Sequence, residues 1–135
     1  MGKKKIVIDT NNLISALGWK GNPRKLLEQV IEKKYDLFIS IKILDELKRV
    51  MDYPKFKFTD EQKNKFLQIL SEISTIIETK IKLNITEDPD DNMFIECALE
   101  SGADYIISGD EHLKKIKQFK NIKIISVSDF LKENK

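Results

Sequence analysis

Asp9 closes the apolar run Lys5-Ile6-Val7-Ile8 and opens the polar run Asp9-Thr10-Asn11-Asn12. A carboxylate at the end of a buried strand is costly unless a donor or a cation meets it. In open α/β sheets, ligands bind beyond the carboxyl ends of the strands. A second run, Asp104-Tyr105-Ile106-Ile107-Ser108-Gly109-Asp110, ends in an acid in the same way. Between them lie Glu46 and the acidic stretch Glu87-Asp88-Pro89-Asp90-Asp91. Carboxylates carried by separate elements to one sheet edge make an all-oxygen donor set, the chemistry of Mg2+ or Mn2+. Without metal, such acids repel one another and hold their protons more tightly.

Each group also has a plainer reading. Asp9 and Asp110 suit the N-cap of a following helix, with Thr10 or Asn11 fixing Asp9 by hydrogen bonds if it holds a metal. Glu46 lies beside Ile43 and Val50 at about 100° per residue, at the margin of an apolar stripe, and Asp45 falls on the opposite side. There Glu46 can reach a cleft, or lie along the surface with its head in water. Asp88, Asp90 and Asp91 suit the positive end of a helix dipole, yet three acids in four residues exceed what capping requires. With Asp88 as the cap, Asp91 sits one turn in, near Phe94 and Ile95. Glu96 follows Asp91 by five residues and is an outer candidate only. Gly109 would allow a sharp turn, and Ser108 could orient a carboxylate or a water.

The elements that would position these groups alternate. Strands are expected at Lys4 to Asp9, Asp36 to Ile39, Ile81 to Ile85, Asp104 to Ile107 and Ile122 to Ile125. A short helix follows at Asn12 to Leu17. Asn22-Pro23 starts another, with Asn as cap and Leu26, Leu27, Val30 and Ile31 along one face. Ser40 caps a helix to about Asp52, and Thr59-Asp60-Glu61-Gln62 is a capping box for one reaching about Ile77. Asp88-Pro89 opens a helix that ends near Gly102. Short helices are expected at Glu111 to Lys115 and Ser128 to Glu133. This order predicts a three-layer α/β/α sandwich around a central, mostly parallel sheet of about five strands.

At 135 residues, starting from Met1, the sequence reads as one complete domain, 1–135. Charged residues make up 34% and no apolar run nears the roughly 18 residues of a membrane span, so a cytoplasmic chain without a membrane role is expected. The single Cys97 excludes an internal disulfide and reads as a packing residue. His112 is the only histidine, so His/Cys zinc sites are excluded. Walker, dinucleotide and nucleophile-elbow motifs are absent. A net charge of +2 with acids concentrated locally suits an acidic pocket on a basic surface, acting on a polyanion. Tyr53-Pro54-Lys55-Phe56-Lys57-Phe58 interleaves aromatics and lysines. It either stacks on single-stranded bases or inserts its rings into the core. Trp19 is open between substrate, dimer and core contacts.

These motifs, in this order and spacing, resemble the PIN-domain family, and within it the toxin components of prokaryotic type II toxin–antitoxin systems. The resemblance rests on Val7-Ile8-Asp9-Thr10-Asn11, on Asp88-Pro89-Asp90-Asp91-Asn92, and on Ala98 through Asp110. It implies that Asp9, Glu46, Asp91 and Asp110 are the catalytic acids binding Mg2+ or Mn2+, with Asn11 and Ser108 as small polar partners. Asp45 neighbours Glu46, but helical phase argues for Glu46; Asp90 neighbours Asp91, but the spacing to Ala98 favours Asp91. The implied activity is cleavage of single-stranded or loop RNA to 3′-hydroxyl and 5′-phosphate ends. Implied partners are a small antitoxin protein and a second copy of the chain. The alternative is a non-catalytic module of the same fold that binds RNA or protein. A receiver-like phosphoacceptor is disfavoured, because no late-strand Lys pairs with a mid-strand acceptor Asp.

Overall fold

The β-branched run at the chain's start becomes the middle of a sheet. In the computed structural model, which describes residues 2–86 and 88–135, β1 (Lys5–Ile8) buries Ile6, Val7 and Ile8 on both faces. Burying each such side chain contributes about 1.5–3 kcal/mol. The chain continues through α1 (Thr10–Gly18), α2 (Asn22–Ile31), β2 (Asp36–Ser40), α3 (Ile41–Met51), a 3-10 turn (Pro54–Phe56), α4 (Asp60–Ile73) and β3 (Ser74–Ile77). It then forms α5 (Pro89–Ser101), β4 (Tyr105–Ile107), α6 (Glu111–Ile116), β5 (Gln118–Phe119), β6 (Ile122–Ile125) and α7 (Val127–Glu133).

The sheet has six strands in the order β3-β2-β1-β4-β6-β5, all parallel except the β5–β6 pair. Helices flank it, and α5 packs along β1, β2 and β4. After β1 the chain builds outward to β2 and β3, then returns to place β4 on the other side of β1. The reversal leaves a crevice between the carboxyl ends of β1 and β4, where such sheets bind ligands. Ile6, Val7 and Ile8 stand in register with Tyr105, Ile106 and Ile107, and the Asp9 amide extends the ladder to the Ile107 carbonyl at 3.1 Å. Asp9 and Ser108 therefore leave the sheet side by side. Among the described residues, no helix is long and apolar enough to cross a membrane.

Several boundaries differ from expectation. The helix expected to run to Ile77 stops at Ile73, and Ser74–Ile77 pairs with β2 instead. Thr75, Ile76 and Ile77 are β-branched, and an open sheet edge outcompetes another helical turn for them. No strand forms at Ile81 to Ile85. Its amides are taken by side chains one turn apart on α5: Glu100 accepts from Lys80, Glu96 from Leu83, and Asn92 from both Ile85 and Thr86. The segment is a strap along a helix, satisfied without a ladder. β5, only two residues long, has too little pattern to be read from sequence. Asn22 is the first residue of α2 and does not cap it. The cap is Gly21, whose φ of 154° is accessible to glycine alone. Ile31, expected on the apolar face of α2, is exposed, while Leu26, Leu27 and Val30 are buried. Glu87, part of the acidic stretch, lies outside the described residues.

Candidate active site

The carboxyl end of β1 turns directly into α1, and Asp9 caps that helix. Its Oδ1 accepts from the Asn12 amide at 2.9 Å. Its Oδ2 accepts a short 2.6 Å bond from the Ser108 hydroxyl. The fully buried Ser108 oxygen in turn accepts from the Asp110 amide at 3.0 Å. A relay of three groups thus joins the ends of β1 and β4. Burial pushes the proton affinity of Asp9 up, the bonds from Ser108 and Asn12 oppose this, and the charge of Asp110 adds to it.

Asp110 caps α6, accepting from the His112 and Leu113 amides at 2.9 and 3.2 Å. Asp91 enters from the first turn of α5, which Asp88 caps by accepting from the Asp90 amide. Asp91 is buried, and its Oδ2 meets no donor. What it meets is the Asp110 carboxyl, which offers a proton only if one of the two is protonated. Burial first, then Asp110, raises the Asp91 pKa from 3.8 to about 7. A second carboxyl facing the first disfavours its charged form, which adds to the cost of burial.

Glu46 stands next to this group. The Thr10 hydroxyl donates to its Oε2 at 3.0 Å, so the residue after Asp9 orients it. Burial raises its pKa; Thr10 and the Arg49 guanidinium oppose the rise, while the charges of Asp90 and Asp88 add to it. Glu46 lines a cavity of about 610 Å³ shared with Lys42, Arg49, Asp90 and Glu96. Asp45, expected on the opposite side of the helix, is exposed but lines the same cavity. Glu96 is committed elsewhere, holding the Lys42 ammonium at 3.4 Å and the strap at Leu83.

The fold therefore sets Asp110 against both Asp9 and Asp91, while Glu46, on the wall of the cavity, is linked to them through Thr10, the residue after Asp9. Asn11 does not take part as expected: it is exposed, and Asn12 holds Asp9 instead. The sequence carried the signal, since an N-cap carboxylate bonds the amide two or three positions on. Gly109 keeps out of the left-handed region, and an added Cβ there meets nothing within 4 Å. Cys97 is buried and its thiol pushed up to about 12, an inert packing group.

A family profile described as PIN domain matches residues 5–112, a span that contains all four acids and the Ser108 relay. The chain belongs to the PIN domain family. This PIN domain is similar to MJ1680, an uncharacterized protein of Methanocaldococcus jannaschii, at 40% identity over 119 residues covering 85% of this chain and 76% of that protein. Its fold is similar to the crystal structure of VapBC2 from Rickettsia felis bound to a DNA fragment from their promoter. That match has a TM-score of 0.62 at 20% identity, over 89% of this chain and 96% of that one.

Among the described residues, no three His, Cys, Asp or Glu side chains form a ready ligand cluster. The acids fit a partly hydrated hard ion held by one or two carboxylates and waters, the habit of Mg2+. Burial first, and neighbouring acids after it, raise the proton affinities of Asp9, Glu46 and Asp91, and one Asp91 oxygen has no donor; a bound cation would relieve both.

Proposed function

We propose that this PIN domain is a Mg2+- or Mn2+-dependent endoribonuclease that hydrolyses single-stranded or loop RNA, working as the toxin of a toxin–antitoxin pair. The observation that carries the reading is the donorless Asp91 oxygen facing Asp110, tied through Ser108 to Asp9 at the sheet's switch point. In this reading Asp9, Glu46, Asp91 and Asp110 would hold one or two ions, each through one or two of these carboxylates with waters completing the shell. When bound, the ion supplies charge neutralisation at a phosphodiester and an acidified water. Ser108 and Asn12 fix both oxygens of Asp9, and Thr10 fixes Glu46, so these carboxylates are oriented before substrate arrives. Asp91 must lose its proton to serve as a ligand, so ion binding near neutral pH releases a proton. The toxin assignment rests on the resemblance in motif order, and the likeness of fold to VapBC2 agrees with it. The partners in this reading are RNA, a small antitoxin protein that covers the cleft, and a second copy of the chain.

The test is cleavage of a labelled single-stranded RNA pool with Mn2+, Mg2+ or EDTA, with Asp9→Asn in parallel. Asn keeps one oxygen to accept from the Asn12 amide and turns its NH2 toward the Ser108 hydroxyl oxygen, so the variant is expected to fold. Metal-dependent cutting that disappears in Asp9→Asn is expected, and a fully active Asp9→Asn removes Asp9 from the chemistry. Absence of cutting by folded, inhibitor-free protein, with RNA binding that persists in EDTA, puts the non-catalytic module in its place.

A further inference from the structure

Both exposed aromatic side chains among the large exposed hydrophobics, Trp19 (53% exposed) and Tyr53 (39%), belong to one cluster. Tyr53 lies parallel to Phe56 with centroids 6.4 Å apart and planes 5° apart. Phe56 lies parallel to Phe58 at 5.5 Å and 12°. Trp19 sets its edge against Phe56 and Phe58 at 6.1 and 6.3 Å. Phe56 and Phe58 are half-buried and anchor the stack, while Trp19 and Tyr53 face solvent. The Arg24 guanidinium donates to the Ala16 and Leu17 carbonyls, fixing the end of α1 that presents Trp19.

The rim is cationic. The Lys55 ammonium sits 5.1 Å over the Phe56 ring, and Lys57 is exposed beside it. The nearby acids Asp52 and Asp60 are both paired with Lys63. Arg49 links the cluster to the cleft: one guanidinium nitrogen reaches the Tyr53 hydroxyl at 3.4 Å, another lies 3.9 Å from Glu46. Trp19 follows the last residue of α1, which starts beside Asp9, so helix rise places it about 13 Å from the cleft. A core patch needs no cationic rim and no parallel rings open to water. Single-stranded nucleic acid needs both: a flat face for each base and charge along the backbone.

We propose that Trp19 and Tyr53, supported by Phe56 and Phe58 and flanked by Lys55, Lys57 and Arg49, form a base-stacking platform for single-stranded RNA running out of the cleft. The proposal rests on the RNA reading of that cleft. Trp19 is the chain's one tryptophan and is its own probe. The experiment titrates the full chain in EDTA with short single-stranded oligoadenosine and oligouridine, following tryptophan emission and the anisotropy of labelled RNA.

Saturable quenching by single strands, and none by a duplex of equal length, is expected. Trp19→Ala and Tyr53→Ala should each weaken binding about fivefold or more, while Trp19→Tyr should restore it. Restoration separates stacking from a merely structural loss. RNA binding with unchanged emission and unchanged affinity in both alanine variants overturns the platform, as does absence of RNA binding by the wild type. A patch that captures a hydrophobic peptide and ignores RNA is a protein-docking surface and overturns it too. Adding Mn2+ to the same samples separates the two readings. Cleavage without quenching leaves the nuclease and removes the platform, and quenching without cleavage does the reverse.

Discussion

Replacing Asp91 by Asn should stabilise the metal-free protein at alkaline pH. The Asp91 carboxyl, raised from 3.8 to about 7, is protonated in the fold over a range where the unfolded chain has already lost that proton. Folding therefore takes up a proton between about pH 4 and pH 7. The stability this confers is complete below the unfolded value and is lost as pH rises through the folded one. At 1.36 kcal/mol per pH unit, the cost borne by the fold at pH 8 has a ceiling of about 4 kcal/mol. Asp110, which supplies part of the rise, is only half-buried and its charge is screened by water, so about 2 kcal/mol is the expected size. An Asn amide removes the charge, keeps the shape and donates to Asp110. In EDTA, Asp91→Asn should melt about 8 °C above wild type at pH 8 and close to it at pH 4, by calorimetry. Asp9 and Glu46 are raised in the same direction, so the variant keeps a weaker pH slope. Mn2+ should recover much of the difference in the wild type at pH 8, because an ion that binds only the fold stabilises it. A variant no more stable than wild type at pH 8, with an unchanged pH slope, would refute the idea that Asp91 and Asp110 store unrelieved charge.

Ser108→Ala removes the donor to Asp9 Oδ2 and the acceptor of the Asp110 amide. It should cost about 1–3 kcal/mol in urea unfolding, with a further rise in the proton affinity of Asp9 by NMR titration. Asn92→Ala strips the one side-chain oxygen that accepts from Ile85 and Thr86. Amide exchange at those two positions should quicken relative to the β1 amides, and unchanged protection there would mean the strap is held by other contacts.

The site was legible where local sequence and final position coincide. Asp9 and Asp110 each follow a short apolar run, and each caps the helix after it as its sequence position suggests. Asp91 was separated from Asp90 by spacing, and the fold buries Asp91 while exposing Asp90. Glu46 was legible by phase, but Asp45 was not. The cavity mouth is wide enough to include both, and no helical wheel reports the width of a cleft. The strap was misread because its hydrogen-bond partners are side chains of another element. Nothing in Lys80 to Thr86 distinguishes amides bound to Asn92, Glu96 and Glu100 from amides bound to a strand. Asn12 was passed over in favour of Asn11, although the same cap reading that placed Asp9 reaches Asn12 by its amide.

The pairing of β1 with β4 joins residues nearly a hundred positions apart. A chain growing from its first residue therefore carries Asp9 and Glu46 long before Ser108 and Asp110 exist. Until β4 is made, β1 has one unfilled edge, Asp9 lacks its hydroxyl donor, and Asp91 has no carboxyl opposite it. The cleft is assembled only once β4 has been made, so Asp9 and Glu46 wait without Ser108 and Asp110 while the long stretch between β1 and β4 is synthesised.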